Sequence, residues 1–279
     1  MLTVGLALGA SLCWGSADFL AGVATRRLPV LTVLLWSQVI GLTITAGAVA
    51  IRGQGPPAAR SLLYAAIGGV IAVVGATALY RGLAVGAMGI VAPISATNSV
   101  IPIGVSFFIG ERPGPVQAAG IALALTGVVL AAREPDPLGG RASAAAGVGP
   151  ALVAAVGLGS SLAWLNAAAD GDALWAVLSV RLVLTTLVAT AVLVRRTPLR
   201  LAPADRAVVL DNGVLDGAAT LVFSVASTRG LISVVAVLGQ LYPVVVALLA
   251  FLVLHERISR PQLIGVAAAL AGVGLIAAA

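Results

Sequence analysis

Charged residues are scarce in this chain. Only 9% of the 279 residues are Asp, Glu, Lys or Arg, whereas 60% are hydrophobic and the mean hydropathy is +1.12. Because soluble domains carry about 25% charged residues, this composition excludes an ordinary soluble protein. We therefore expect an integral membrane protein, with the lipid bilayer as its main partner.

Several reactive groups are rare or missing. All 16 basic residues are arginine, and there is one histidine and one cysteine, so an intrachain disulfide is excluded. No His, Cys and carboxylate residues are clustered with metal-ligand spacing, and no Ser–His–Asp set can be identified. The sequence predicts no cofactor, no metal and no enzymatic activity. The net charge of +6 does not indicate nucleic-acid binding, because the arginines fall mainly between apolar segments.

Long apolar runs dominate what is present. About 20 apolar residues span a bilayer as a helix, which satisfies its own backbone hydrogen bonds. The first run lacks the basic region of a signal peptide, so we expect it to be retained. We predict an all-α integral membrane protein with ten transmembrane segments, at roughly 2–24, 29–51, 60–80, 84–109, 114–132, 147–168, 173–194, 207–227, 231–254 and 260–278.

The two halves of the chain are alike. The stretch "ERPGPVQAAGIALALTGV" (111–128) aligns with "ERISRPQLIGVAAALAGV" (256–273) without a gap, and 9 of the 18 positions are identical. We divide the chain into a first five-helix repeat (1–133), a linker (134–146) and a second five-helix repeat (147–279). Because each repeat has an odd number of helices, the second enters the membrane inverted. Inverted repeats are typical of secondary transporters.

Two motifs carry a resemblance to a known family. "LCWGSADF" (12–19) and "YPVVVALLAFLVLHERISRPQLIGVAAALAGVGLI" (242–276) resemble the EamA family of the drug/metabolite transporter superfamily, and the likeness extends over nearly the whole chain. The resemblance implies a transporter of small organic solutes that has no ATPase module. The family often carries arginine in the second helix of each half. Arg181 matches this pattern, but Gln38 occupies the corresponding place in the first half.

Four ionisable residues stand inside apolar segments, where such groups usually face a cavity or a partner. Measured from flanking arginines at 1.5 Å per residue, Asp18, Arg181 and Asp216 lie ~12, ~21 and ~15 Å deep, near the middle of the bilayer. Asp211 lies only ~8 Å deep, and we interpret it as structural. Asp18 is predicted to line the substrate path.

An ion pair between Arg181 and Asp216 is geometrically possible, because they lie at similar depth on consecutive segments. The pair could simply neutralise two buried charges. Alternatively, it faces the substrate path, where Asp216 could also couple transport to protons.

Uncharged polar and aromatic residues give a second group of pathway candidates. Such positions suit a midplane site at the interface between repeats, although interhelical hydrogen bonding or ordinary packing would also explain them. The candidates are Trp14, Gln38, Thr97, Asn98, Gln240 and Tyr242.

A Glu–Arg pair ends the fourth segment and another ends the ninth. Glu111–Arg112 and Glu256–Arg257 are predicted to have a structural role, tying each turn to the N-terminus of the next helix.

The expected function is a secondary transporter of small organic metabolites in the cytoplasmic membrane, with amino acids among the suitable substrates. The alternative is a membrane scaffold or a lipid-handling protein. The nearly apolar fifth and tenth segments could form a homodimer. Arginine distribution places both termini outside, whereas the family resemblance implies cytoplasmic termini, so orientation stays open.

Overall fold

The structure, a computed structural model, describes most of the chain. The described residues are 2–86, 91, 94–95, 97–99, 101–102, 105, 110, 113–131, 141–169, 171–239, 241–254, 260–261, 264–265, 267–268, 271–272 and 275.

These residues form helices joined by short connections, and no strand occurs among them. A 3₁₀ turn covers Thr97–Ser99. The α-helices are α1 (Leu2–Thr25), α2 (Val30–Arg52), α3 (Ala59–Val85), α4 (Pro115–Ala131), α5 (Arg141–Ala169), α6 (Ala173–Arg195), α7 (Pro203–Ser227), α8 (Ile232–Gly239) and α9 (Tyr242–Leu254).

Six helices within the described ranges are long and apolar enough to cross a membrane, namely α1, α2, α3, α6, α7 and, from Ala146, α5. Pro115–Gly127 and Val234–Val246 are shorter apolar stretches. The all-helical class is thus confirmed. The count of ten stays a prediction, because most of segments 84–109 and 260–278 lies outside the described residues.

Local sequence chemistry fixes several helix ends. Gly53 ends α2 with φ of 66°, a left-handed conformation that glycine adopts without strain, and its N–H donates to Val49 O. The Asp172 carboxylate caps α6 by accepting from the backbone N–H groups of Leu174 and Trp175, at 2.9 and 3.1 Å. Helix α5 begins at Arg141, inside the predicted linker, where alanine-rich sequence favours helix.

Two predicted segments are interrupted at prolines. The ninth is divided into α8 and α9, because Pro243 has no N–H to donate to the Gly239 carbonyl. Thr97 and Asn98 fall in the middle of the predicted segment 84–109, but they lie in the 3₁₀ turn. Pro102 likewise cannot donate to the Asn98 carbonyl four residues earlier. That carbonyl lies against Gly159 of α5, where a side chain would clash with it.

Packing is reciprocal between the two halves. Helix α3 packs most extensively on α5, the first helix of the second half, and α1 packs in the same way on α7. Likewise, α2 packs on α7, and α3 packs on α6. In both pairs of contacts, exchanging the two halves turns one contact into the other. A two-fold relation between the halves produces this pattern.

Glycines let these helix pairs approach closely. Along α3, Gly68, Gly75 and Gly82 recur every seven residues and face α5. A Cβ on Gly75 would lie 2.7 Å from Leu158 N, so the two backbones are in contact there. Close approach through small residues is the usual means of packing helices in membranes, where the hydrophobic effect between helices is absent.

Hydrogen bonds join α2 and α6 at both of their ends. Trp36, near the start of α2, donates its indole N–H to Leu199 O beyond the end of α6, at 3.2 Å. Trp175, near the start of α6, donates to Gln54 O beyond the end of α2, at 3.1 Å. The two helices are therefore antiparallel. The two acceptors are 145 residues apart (199 − 54), which is also the offset of the aligned sequences (256 − 111).

Candidate functional site

A cavity of about 140 Å³ lies where helices of both halves meet. A water needs roughly 10–15 Å³ on this measure, so the cavity has room for a small solute or several waters. Its polar and aromatic lining comes from α1, α2, α3, α5, α6, α7, α9 and the 3₁₀ turn: Trp14, Asp18, Gln38, Tyr80, Asn98, Ser161, Arg181, Asp216, Thr220 and Tyr242. Its apolar lining is Leu34, Ala72, Ala76, Leu79, Leu158, Leu162, Leu165, Val180 and Leu184.

Arg181 is the hub of a hydrogen-bond network in this cavity. Its Nη1 donates to Asp216 Oδ2 at 3.0 Å and to Gln38 Oε1 at 2.9 Å. Its Nη2 donates to the Asp216 backbone carbonyl and to Thr220 Oγ1, both at 2.8 Å. The Arg181 side chain is only 3% exposed, whereas that of Asp216 is 21% exposed. The cation is therefore enclosed, and its anionic partner is the more accessible member.

The amide of Gln38 completes the network from the first half. It accepts from Arg181 and donates through Nε2 to Asp216 Oδ2 at 3.4 Å. At the place where the family resemblance implies a second arginine, this chain thus has a neutral residue that bridges the ion pair. Only one guanidinium lines the cavity among the described residues.

Asp18 lies on α1 and faces the same cavity as Asp216. The ion pairs among the described residues are Arg181–Asp216 and Arg52–Asp172, so neither involves Asp18. Trp14 lies one helical turn before Asp18 and packs on Phe223, with ring centroids 5.1 Å apart.

Asn212 fixes the wall of the cavity without lining it. Its side chain is fully buried on α7, and Nδ2 donates to the Ala17 carbonyl of α1 at 2.7 Å. Its Oδ1 accepts from the Tyr80 hydroxyl of α3 at 3.4 Å. One amide therefore joins three helices and holds Tyr80 beside the part of α1 that carries Asp18.

Most of the pathway candidates proposed from the sequence come together. The members that line the cavity are Trp14, Asp18, Gln38, Asn98, Arg181, Asp216 and Tyr242. Thr97 is exposed, and its hydroxyl instead donates to the Ile94 carbonyl at 2.7 Å. Asp211 is exposed and does not line the cavity. Gln240 lies outside the described residues, as do the four junction residues Glu111, Arg112, Glu256 and Arg257.

Several residues of this region were not predicted from the sequence. Thr220 stands four residues after Asp216, a spacing that places both on one helix face. Asn212 is an amide in an apolar helix, a signal that was noticeable beside Asp211. Tyr80 gave no comparable signal, because a tyrosine near a helix end is ordinary in membrane proteins.

A second ion pair lies at one end of the bundle. Arg52, at the end of α2, pairs with Asp172, the N-cap of α6. Burial acts to raise the pKa of Asp172, but hydrogen bonds from Arg52 and two backbone N–H groups outweigh it, together with the Arg52 charge. The pKa of this carboxyl is therefore held below its usual value.

Comparison with family models shows the family to which the chain belongs. The model of the EamA-like transporter family matches the chain twice, over residues 1–133 and 145–278. The chain belongs to the EamA-like transporter family. As an EamA-like protein it is a multi-pass membrane protein, and this membership indicates transport rather than catalysis.

Comparison with solved structures is consistent with this EamA-like fold. A protein of known crystal structure is similar over 98% of this chain and 95% of its own, with a TM-score of 0.79 and 19% sequence identity. At that identity the likeness concerns the fold alone. A comparison with curated proteins found no match.

Proposed function

We propose that this protein is a secondary transporter of small organic metabolites in the cytoplasmic membrane, acting as an exporter or exchanger. The observation that carries the proposal is the Arg181–Asp216 pair in a cavity lined by both halves. The transport cycle would use alternating access, with or without coupling to protons.

The architecture proposed for this cycle is ten helices in two inverted five-helix repeats. Three observations support it. The family model matches once in each half. Helix packing is reciprocal between the halves, and the indole-to-loop bonds of Trp36 and Trp175 exchange roles. Rocking of one repeat against the other would expose a central cavity alternately to the two sides.

The buried network suits a functional site better than a purely stabilising one. Taking two charges out of solvent usually costs as much as their attraction returns, so a buried ion pair is a poor device for stability alone. Here the network also leaves Asp216 partly accessible from the cavity. A solute or a proton that engages this carboxylate would weaken its hold on Arg181. That would loosen the contact between α2, α6 and α7.

A transport assay tests this role. Purified protein is first screened for thermal stabilisation by a panel of anionic, cationic, zwitterionic and neutral metabolites, and the stabilising compounds are then used in proteoliposome flux. Arg181→Gln and Asp216→Asn should each abolish most flux while leaving expression normal. Asp211→Asn is the matched control, because Asp211 is an exposed carboxylate on the same helix as Asp216.

Unchanged flux in both network variants would assign the pair to structure only. If no metabolite in any charge class were carried by the unmodified protein, the alternative of a membrane scaffold or lipid-handling protein would gain support.

We also propose that the segments 114–132 and 260–278 mediate a homodimer. Gly272 of the second segment packs on α4 of the first, since a Cβ on Gly272 would lie 2.5 Å from Ala124 N. Among the described residues of these segments, Val116, Val129 and Ile264 are exposed. They form an apolar surface that lipid or a second copy would cover. Cysteine crosslinking at Val116 in membranes, with crosslinking at exposed Leu63 of α3 as the control, tests this arrangement.

A further inference from the structure

The described lining of the cavity has one more carboxylate than it has cationic side chains. Two aspartates and one arginine line it among the described residues, and Arg181 directs its hydrogen bonds to Asp216, Gln38 and Thr220. An ionised carboxylate out of water is costly unless it gains a compensating positive charge or takes up a proton. A ligand that supplies this charge would be attracted by Asp18 and by the accessible oxygen atoms of Asp216.

Aromatic side chains line the cavity together with this carboxylate. Trp14 precedes Asp18 by one turn on the same helix face, and Phe223 packs against its ring. Tyr80 is held next to α1 because Asn212 binds both the Tyr80 hydroxyl and the Ala17 carbonyl.

Tyr242 approaches from α9. A Cβ on Gly15 would lie 2.7 Å from the Tyr242 carbonyl, so α9 crosses α1 one turn before Asp18. The Tyr242 and Tyr80 side chains line the same cavity as Asp18. One carboxylate and three aromatic residues therefore converge from three helices.

We propose that Asp18, Trp14, Tyr80 and Tyr242 form a subsite for the ammonium group of an organic cation. The carboxylate supplies the opposite charge, and the aromatic rings attract the cation through their faces. The proposal rests on the transport function proposed above and assigns a substrate class to that cavity.

The rest of the lining favours an organic cation over a metal ion. A divalent metal such as Ca²⁺ requires six to eight oxygen ligands in a compact shell. Half of the other lining residues are instead leucine, valine and alanine, including Leu162 and Leu184. Such walls suit the carbon skeleton of a small amine.

A pair of nearly identical probes tests the charge requirement. Choline and its neutral carbon isostere, 3,3-dimethylbutan-1-ol, have closely similar shapes and differ in one positive charge. Their binding to the purified, detergent-solubilised protein is measured by thermal shift over a concentration series. We expect stabilisation by choline and at least about tenfold weaker apparent affinity for the isostere.

Single substitutions test which residues bind choline. Asp18→Asn keeps the side-chain shape and should weaken choline binding about tenfold or more, whereas Asp211→Asn should leave it unchanged. Trp14→Leu should weaken choline binding severalfold, and it serves as a second test if Asp18→Asn does not elute as a folded monodisperse protein.

Equal stabilisation by choline and the isostere, or unchanged choline binding in Asp18→Asn and Trp14→Leu, would overturn the ammonium subsite. If an anionic or neutral metabolite instead gives the strongest Arg181-dependent flux, this subsite is wrong while the transporter proposal stands. Absence of flux for every solute class, with choline binding retained, would overturn the transporter proposal alone.

Discussion

The guanidinium of Arg181 lies directly against the bare α-carbon of Gly41. A Cβ at Gly41 would lie 2.8 Å from Arg181 Cζ and 3.3 Å from Nε, with Nη1 closer still. Gly41 also faces Gly217 of α7, where a Cβ on Gly217 would lie 3.0 Å from the Gly41 Cα. Three helices thus meet at a point where only glycine leaves room for the buried cation.

Gly41→Ala should displace Arg181 and weaken its bond to Gln38. We expect a loss of about 1–3 kcal/mol in the free energy of unfolding, typical of overpacking in a filled interior, and a fall in flux. Thermal unfolding and proteoliposome transport measure the two effects. Gly47→Ala is the matched control, since Gly47 lies on the same helix with nothing within 4 Å of a Cβ. Equal effects of the two substitutions would contradict the role assigned to Gly41.

The sequence could predict the charged centre of the site but not its packing. The depths of Arg181 and Asp216 follow from counting residues along apolar helices, because helical rise is constant. The closeness of Gly41 to Arg181 depends on which faces of α2 and α6 meet. Side-chain periodicity does not report this in a helix that is apolar all round.

Asn212→Ala should destabilise the protein more than a substitution at its exposed neighbour. It leaves the Tyr80 hydroxyl without its Asn212 acceptor and removes a buried tie to α1, which costs about 1–3 kcal/mol. Thermal unfolding of Asn212→Ala and Asp211→Ala in detergent compares the two positions. If both variants have the same melting temperature, the hydrogen bonds of Asn212 contribute nothing measurable to stability.

Acid should remove the contribution of the Arg52–Asp172 pair. The pKa of Asp172 is lower in the folded protein than in the unfolded chain, so its contribution is complete above the unfolded value, roughly 4. It is lost as the pH falls through the folded pKa. We expect Asp172→Asn to lower stability at neutral pH by about 1 kcal/mol or less, because the pair is partly exposed.

The melting temperatures of the unmodified protein and Asp172→Asn should therefore converge as the pH is lowered below about 4. Asp211→Asn provides the reference for a carboxylate on the exposed surface. A difference that persists or grows in acid would show that Asp172 acts through something other than its charge.

Proline positions predict helix breaks that a count of apolar segments does not reveal. Pro243 and Pro102 each remove the N–H that would bind the carbonyl four residues earlier, so helix breaks were foreseeable near Gly239 and Asn98. Counting apolar residues alone merged α8 with α9, because hydropathy does not distinguish a broken helix from a continuous one. Asn98 and Tyr242, which both line the cavity, lie at these breaks.

The bonds of Trp36 and Trp175 lie at opposite ends of the antiparallel pair α2 and α6. If access alternates, opening either side must separate the loop acceptor from its indole. Trp→Phe removes the N–H donor and part of the ring. The lost hydrogen bond contributes about 0.5–1.5 kcal/mol to the closed state. Each substitution should therefore shift the balance of open states about two- to tenfold, in opposite directions.

A cysteine at Ser161, which lines the cavity, reports this shift in a Cys13→Ala background. Trp175→Phe should raise its labelling by an impermeant thiol reagent added on the Gln54 side, and Trp36→Phe should raise labelling from the Leu199 side. The double variant should restore the original ratio between sides, because the two losses oppose each other. Increased labelling from the same side in both single variants would be incompatible with reciprocal closures, and the indole bonds would then serve only to pack the loops.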